Sequence, residues 1–244
     1  MRRFAVLVLT VVIGVGVVSF ATADESIQTE IAKIKPTKIS KSKYQDVKYV
    51  NMITTFDVPG TNEPPKSFRT VLDFPKQLKF NNNKWPFCKT DAVGLVRAAL
   101  PADAKKACGR KSIVSADSGS KAVVRVGTAT GAIVINNQVV AFNEPGGELL
   151  LFIKPTGEFA GLPASILVGK LKKSKSGSKY RQALDVRSSP LAAGALSLFQ
   201  ITNPRSGYVQ AKCKPKKLYW KATTFFEDGS KTSDTHSTTC KPKN

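Results

Sequence analysis

Nucleophilic, acid–base and metal chemistry each need particular side chains within reach of one another, and this chain offers few of them. Its only histidine, His236, sits in the Ser/Thr-rich run 235–239, and a Ser/His/Asp set would have to use it as the base. Ser118 with Lys121 and Ser176 with Lys179 have Ser-x-x-Lys spacing, but in Ser/Lys-rich turns where such matches arise by chance, and there is no Gly-x-Ser-x-Gly. Glu144 and Glu148 flank a Gly-rich turn, as a glycosidase pair or a calcium loop would, yet no further acidic ligand follows. Four cysteines, Cys88, Cys108, Cys213 and Cys240, occur without a Cys-x-x-Cys, which disfavours a zinc site. The expectation is no catalytic residue, no metal and no cofactor.

Charge is the stronger signal. The chain has 38 Lys and Arg against 17 Asp and Glu, a formal net charge of +21. Such an excess opposes compaction and attracts polyanions. Lys outnumbers Arg about three to one, which favours diffuse point-charge attraction over bidentate phosphate recognition. The cations concentrate in two runs. Residues 170–181 carry Lys170, Lys172, Lys173, Lys175, Lys179 and Arg181, and residues 212–221 carry Lys212, Lys214, Lys216 and Lys217 beside Tyr219 and Trp220. These ten are the candidate polyanion-binding residues. The competing reading is of solvated turns whose lysines keep strand edges apart. Tyr219 and Trp220 point to opposite faces of a strand, so one packs in the core, and stacking on nucleic acid is not expected.

The elements that must position these residues begin with a leader. Arg2 and Arg3 precede an apolar run from Phe4 to Ala21 that ends in Ala21-Thr22-Ala23, the pattern of a secretory signal peptide cut after Ala23. An uncleaved anchor is the rival reading, because the run approaches spanning length. Loss of Arg2 and Arg3 would lower the charge from +21 to +19. Export implies two disulfides. Three connectivities are open, and Cys88 with Cys108 and Cys213 with Cys240 is the favoured one, closing a helical excursion and a hairpin at on the order of 3 kcal/mol each.

Beyond the leader, short runs with β alternation recur: 26–34, 45–58, 68–74 continuing to Phe80, 122–128, 132–142, 148–154, 164–172, 180–186, 196–202, 208–213, 218–226 and 231–239. Turn signals separate them at Asn81-Asn82-Asn83, Asn136-Asn137, Pro145-Gly146-Gly147 and Asp228-Gly229. Between Cys88 and Cys108, Thr90 and Asp91 can cap a helix that Pro101 ends, with a second short helical turn over 104–107. Trp85-Pro86-Phe87 is expected to pack over that disulfide. The pattern predicts an all-β fold, an antiparallel β-sandwich of jelly-roll or Ig-like type. Residues 24–244 would form its single domain, with a short helical insert at about 89–108.

Several segments carry a resemblance. Residues 34–38 (IKPTK) precede a basic turn, and residues 71–80 (VLDFPKQLKF) lead to Phe87-Cys88. Ala107-Cys108-Gly109 follows, and a Cys213–Cys240 hairpin containing Asp228-Gly229 closes the chain. In this order the chain resembles a group of uncharacterised exported β proteins of high-GC actinobacteria, a resemblance that implies the β fold and export and no enzymatic activity. The functional expectation is a secreted or envelope-associated, non-catalytic binding or structural protein. Its partners would be anionic cell-wall polymers or a membrane surface, with no specific nucleic acid and no span left after cleavage. The alternatives are a hydrolase of wall polysaccharide or lipid and a carrier of an apolar ligand.

Overall fold

A computed structural model describes residues 27–47, 49–57, 62–116, 119–188 and 194–243; the leader expected over residues 1–23 lies outside them. In chain order the elements are β1 (Ile27–Lys35), β2 (Lys38–Ser40), β3 (Gln45–Val47), β4 (Tyr49–Asp57), β5 (Ser67–Pro75), β6 (Leu78–Phe80), α1 (Ala92–Val96) and α2 (Pro101–Cys108). They continue as β7 (Lys121–Thr128), β8 (Gly131–Asn143), β9 (Glu148–Pro155), β10 (Ser165–Lys173), β11 (Tyr180–Arg187), β12 (Ala195–Asn203), β13 (Val209–Ala211), β14 (Lys217–Phe226), β15 (Lys231–Thr239) and β16 (Lys241–Lys243).

Eleven strands join in one antiparallel ladder, in the order β1-β4-β12-β7-β8-β9-β10-β11-β5-β14-β15. A three-stranded sheet, β3-β13-β6, and a parallel pair, β16 with β2, complete the β structure among the described residues. Alternation explains most of the core. In β14 every second side chain, from Leu218 through Trp220, Ala222 and Thr224 to Phe226, is buried, and the residues between are half-buried. Leu218, Trp220 and Ala222 of these join Leu72, Phe74, Leu151 and Leu184 in one apolar cluster, which also takes in Val47, Leu78 and Val209 of the small sheet.

β8 and β9 break the alternation because both their faces are covered. Val140, Phe142, Leu150 and Phe152 form a second cluster with Leu95, Ala104 and Cys108 of the helical insert, as continuous apolar runs in a strand imply. Asp91 caps α1 by accepting the Gly94 N–H at 2.8 Å. Pro101 opens α2, and Gly109, at φ 84°, ends it. Both disulfides form with the favoured connectivity, Cys88 with Cys108 and Cys213 with Cys240.

Three details depart from the sequence reading. The strand expected over 45–58 is two elements, β3 and β4, in different sheets. Asn136-Asn137 is no turn: β8 runs through it, and the buried Asn137 amide donates to the Ala122 and Ile135 carbonyls. Trp85 does not cover the disulfide but packs edge-on against Tyr208, 5.8 Å between ring centres, in the cluster that excludes Cys88 and Cys108.

The two end strands of the ladder approach each other without pairing as a ladder. Instead the Asp234 carboxylate of β15 accepts the Glu30 N–H of β1 at 2.7 Å. The Glu30 carboxyl is itself buried, at 1% exposure, and accepts the Thr54 hydroxyl at 2.6 Å. Burial pushes its pKa up to about 8; the Thr54 hydrogen bond works against this and the Asp234 charge adds to it. The folded chain therefore keeps a proton that the unfolded chain releases near the ordinary value of 4.5. Stability attributable to this group falls as pH rises from 4.5 to about 8. Glu30→Gln, which mimics the protonated form, is expected to remove that slope and to exceed the wild type above about pH 8 by on the order of a few kcal/mol. Urea unfolding at a series of pH values checks this.

Candidate functional site: a cationic groove

The first basic run folds around one carboxylate. Asp73 on β5 is 1% exposed, and its two oxygens accept the hydroxyls of Ser174 at 2.5 Å and Ser176 at 2.6 Å, from the turn between β10 and β11. Ser176 N–H donates to the Ser174 hydroxyl at 3.1 Å, and Lys76 N–H to the Lys179 carbonyl at 2.9 Å. Gly177 completes the turn at φ 101°, where an added Cβ would touch nothing, so the requirement for glycine lies in the backbone. The serines, which read as low-complexity spacers in the sequence, anchor this turn.

Beside the turn lies an open groove of about 800 Å³. Lys173 and Lys175 border it from β10 and its turn, Arg181 from β11, Lys76 from the β5–β6 connection and Lys79 from β6, with Phe80 and Tyr180 as its aromatic walls. No carboxylate lines it. Among the described residues no ion pair engages Lys76, Lys79, Lys173 or Lys175. Phe80 is fixed by ring contacts with Phe74 at 4.6 Å and Tyr208 at 6.1 Å, and Phe74 meets Trp220 edge-on at 6.2 Å. Trp220 is thus the core member of its pair, and Tyr219 the outward one.

Gln77 joins the second basic run to the first. Its buried side-chain amide donates to the carbonyls of Pro215 at 3.0 Å and Lys217 at 2.9 Å, while its backbone carbonyl accepts Lys212 N–H at 3.1 Å. Two tyrosines then hold cations from both runs. The Lys179 ammonium stands 4.6 Å and that of Lys217 5.9 Å from the Tyr219 ring centre. Arg181 donates to the Tyr44 hydroxyl at 2.9 Å, and Lys212 lies 5.0 Å from the Tyr44 ring centre.

Of the ten candidates, then, Lys173, Lys175 and Arg181 line the groove, and Lys179, Lys212 and Lys217 pack on the two tyrosines. Lys170 and Lys172 are turned to other work. Lys170 pairs with Glu148 at 3.1 Å, and Lys172 with Asp185, which also takes Arg69 at 2.8 Å. Burial tends to raise the Asp185 pKa, but hydrogen bonds from Arg69 and Lys172 outweigh it and hold the carboxyl below its usual range. Lys214 and Lys216 are exposed next to the Cys213–Cys240 bridge. Sequence reasoning missed Lys76, Lys79, Tyr44 and Asp73. The available signal was Lys76-Gln77-Leu78-Lys79, where two cations bracket a tight turn after Pro75.

The remaining chemical candidates are dispersed. His236 lies opposite Trp220 on β15, the Ser176 hydroxyl is spent on Asp73, and Ser118 is outside the described residues. The Glu144 pKa is raised by burial, then by Glu148 and Asp91. No group of three or more His, Cys, Asp or Glu among the described residues is placed to hold a metal. No described helix is long and apolar enough to cross a membrane. Comparisons with protein families, with curated proteins and with solved structures find no match to this chain.

Asp73→Ala leaves both serine hydroxyls without their acceptor and is expected to cost about 1–3 kcal/mol and to raise amide exchange across 174–180. Asp73→Asn, which keeps one acceptor, should lose less on both counts. Denaturant unfolding and hydrogen exchange measure the two effects.

Proposed function

We propose that this is an exported, non-catalytic protein that fastens to anionic cell-envelope polymers through the groove bordered by Lys76, Lys79, Lys173, Lys175 and Arg181. The observation that carries the reading is the convergence of these five cations on an open groove with no carboxylate in its lining. Four of the five are lysines, so the groove suits a flexible chain of anions met as point charges rather than a single phosphate gripped bidentately. The neighbouring ring of Tyr219 already carries Lys179, and that of Tyr44 carries Lys212, which leaves little free aromatic face for nucleobases. Two disulfides, the leader and the resemblance to exported actinobacterial β proteins all favour a secreted or envelope-bound location.

On this reading residues 24–244 form one domain, a nearly closed antiparallel barrel in preference to a jelly-roll or Ig-like sandwich. Contact between the first and last strands of the ladder, through Glu30 and Asp234, favours closure. Carriage of an apolar ligand gains no support: the voids beside Thr54 and Leu72 are about 40 Å³ each, against roughly 300–1,000 Å³ for ordinary ligand pockets.

Co-sedimentation of the oxidised protein with envelope material tests the reading, using preparations with and without their anionic polymers across a salt series. Retention should need the polymers and weaken steeply with salt. Combining Lys76→Ala, Lys79→Ala, Lys173→Ala and Lys175→Ala should reduce it by about tenfold or more, while Lys33→Ala with Lys231→Ala should change it little. Equal losses from the two sets would make the attraction a property of total charge and remove the groove from the account.

A further inference from the structure

The three most exposed large apolar side chains among the described residues all belong to the helical insert: Val93 at 69%, Val96 at 57% and Leu100 at 54%. Phe87, at 39%, stands at its entrance. The inner side of the insert is already satisfied, since Leu95, Ala104 and Cys108 are buried against Val140, Phe142, Leu150 and Phe152. Val93 and Val96 are three residues apart on α1 and share a face, and Leu100 follows at the start of α2. The base of the insert is clamped. Cys88 is bonded to Cys108, Cys88 N–H donates to the Asn143 carbonyl at 2.8 Å, and Lys89 N–H donates to the Cys108 carbonyl at 3.2 Å.

Charge narrows the choice of partner. Residues 86–112 hold six cations, among them Lys89, Arg97 and Lys106, against two carboxylates. Both carboxylates serve helix starts: Asp91 accepts Gly94 N–H at 2.8 Å and Asp103 accepts Leu100 N–H at 3.2 Å. A second copy of the chain would bring the same cations and a further +21 to the contact, which opposes self-association. A surface that is negative at its rim and apolar just beneath complements both features, and an anionic bilayer is such a surface.

We propose that the Val93/Val96/Leu100 face of the disulfide-clamped insert seats in the surface of an anionic lipid bilayer. The apolar side chains enter the boundary between headgroups and acyl chains, while Lys89, Arg97 and Lys106 stay among the headgroup phosphates. α1 has only five residues, so the device is a rigid knob rather than a long amphipathic helix. It is separate in residues from the cationic groove, and the two surfaces stand or fall independently.

The test is sedimentation of the full, oxidised chain with vesicles of phosphatidylcholine alone or mixed equally with phosphatidylglycerol. The wild type is expected to bind the mixed vesicles. Val93→Ser with Val96→Ser and Leu100→Ser should weaken that binding by about tenfold or more, with an unchanged thermal midpoint because all three side chains are exposed. Each single Ser variant should give a graded loss, which keeps the test decisive if the triple variant folds poorly. Lys33→Ala with Lys231→Ala, exposed and outside both surfaces, should leave vesicle binding within about threefold of wild type. Indifference of the wild type to phosphatidylglycerol, or full binding by the triple variant, would overturn the proposal. So would a wild-type dimer that the triple variant loses, which would give the patch to a second copy.

Discussion

A shortage of carboxylates governs this molecule. With 38 cationic side chains against 17 acidic ones, folding has to bring like charges together, and the placement of each carboxylate decides where positive charge is cancelled and where it remains. Asp185 gathers Arg69 and Lys172, and Glu148 takes Lys170, so the outward face of β10 is largely neutralised. Asp73 is used differently. It lies under the turn that carries Lys175 and Lys179, yet its oxygens accept two serine hydroxyls. The turn is thereby fixed without its cations being quenched, and Lys173 and Lys175 keep their charge for the groove. Asp91, Asp103 and Asp234 are likewise spent on backbone N–H groups.

The cationic groove depends on parts remote in sequence. Gln77 holds the backbone at Lys212, Pro215 and Lys217 against the β5–β6 connection, and the ring contacts from Trp220 through Phe74 to Phe80 tie the groove wall to the core. Two tyrosines then let cations from both runs lie side by side, because a ring face offsets part of their repulsion. The seam between β1 and β15 is the weaker joint of the fold. In place of a ladder it has the Asp234 carboxylate contact, beside the buried Glu30 carboxyl and a Gln28 amide that has no partner among the described residues.

Most of the strands were legible because their side chains alternate with one buried face, as in β14 and β1, and both disulfides take the connectivity favoured among the three that the sequence leaves open. The helical insert was legible from Asp91 and Pro101. The failures have physical causes. Polar residues such as Asn137 have the composition of turn formers, but here the amide satisfies backbone carbonyls within a wide sheet. Trp85 was assigned by nearness in sequence to Cys88, whereas its partner Tyr208 is far along the chain. The two basic runs were visible as composition, and their convergence was not. That convergence rests on Asp73 and Gln77, single residues whose side-chain partners lie 101 to 140 positions away and leave no local pattern. Lys170 and Lys172 show the converse: they belong to the densest run, yet ion pairing withdraws them from it.

The central claim is that a broadly distributed positive charge is focused into one groove by the Asp73 anchor. Titration of the isotope-labelled, oxidised protein with linear polyphosphate, followed by amide chemical shifts, tests it most directly. The account predicts saturable shifts concentrated on residues 76–80 and 173–181, and a marked weakening of those shifts in Asp73→Ala. Small, unsaturated shifts spread evenly over Lys33, Lys121, Lys231 and the other exposed lysines would contradict it, and would make the charge a diffuse property of the whole surface.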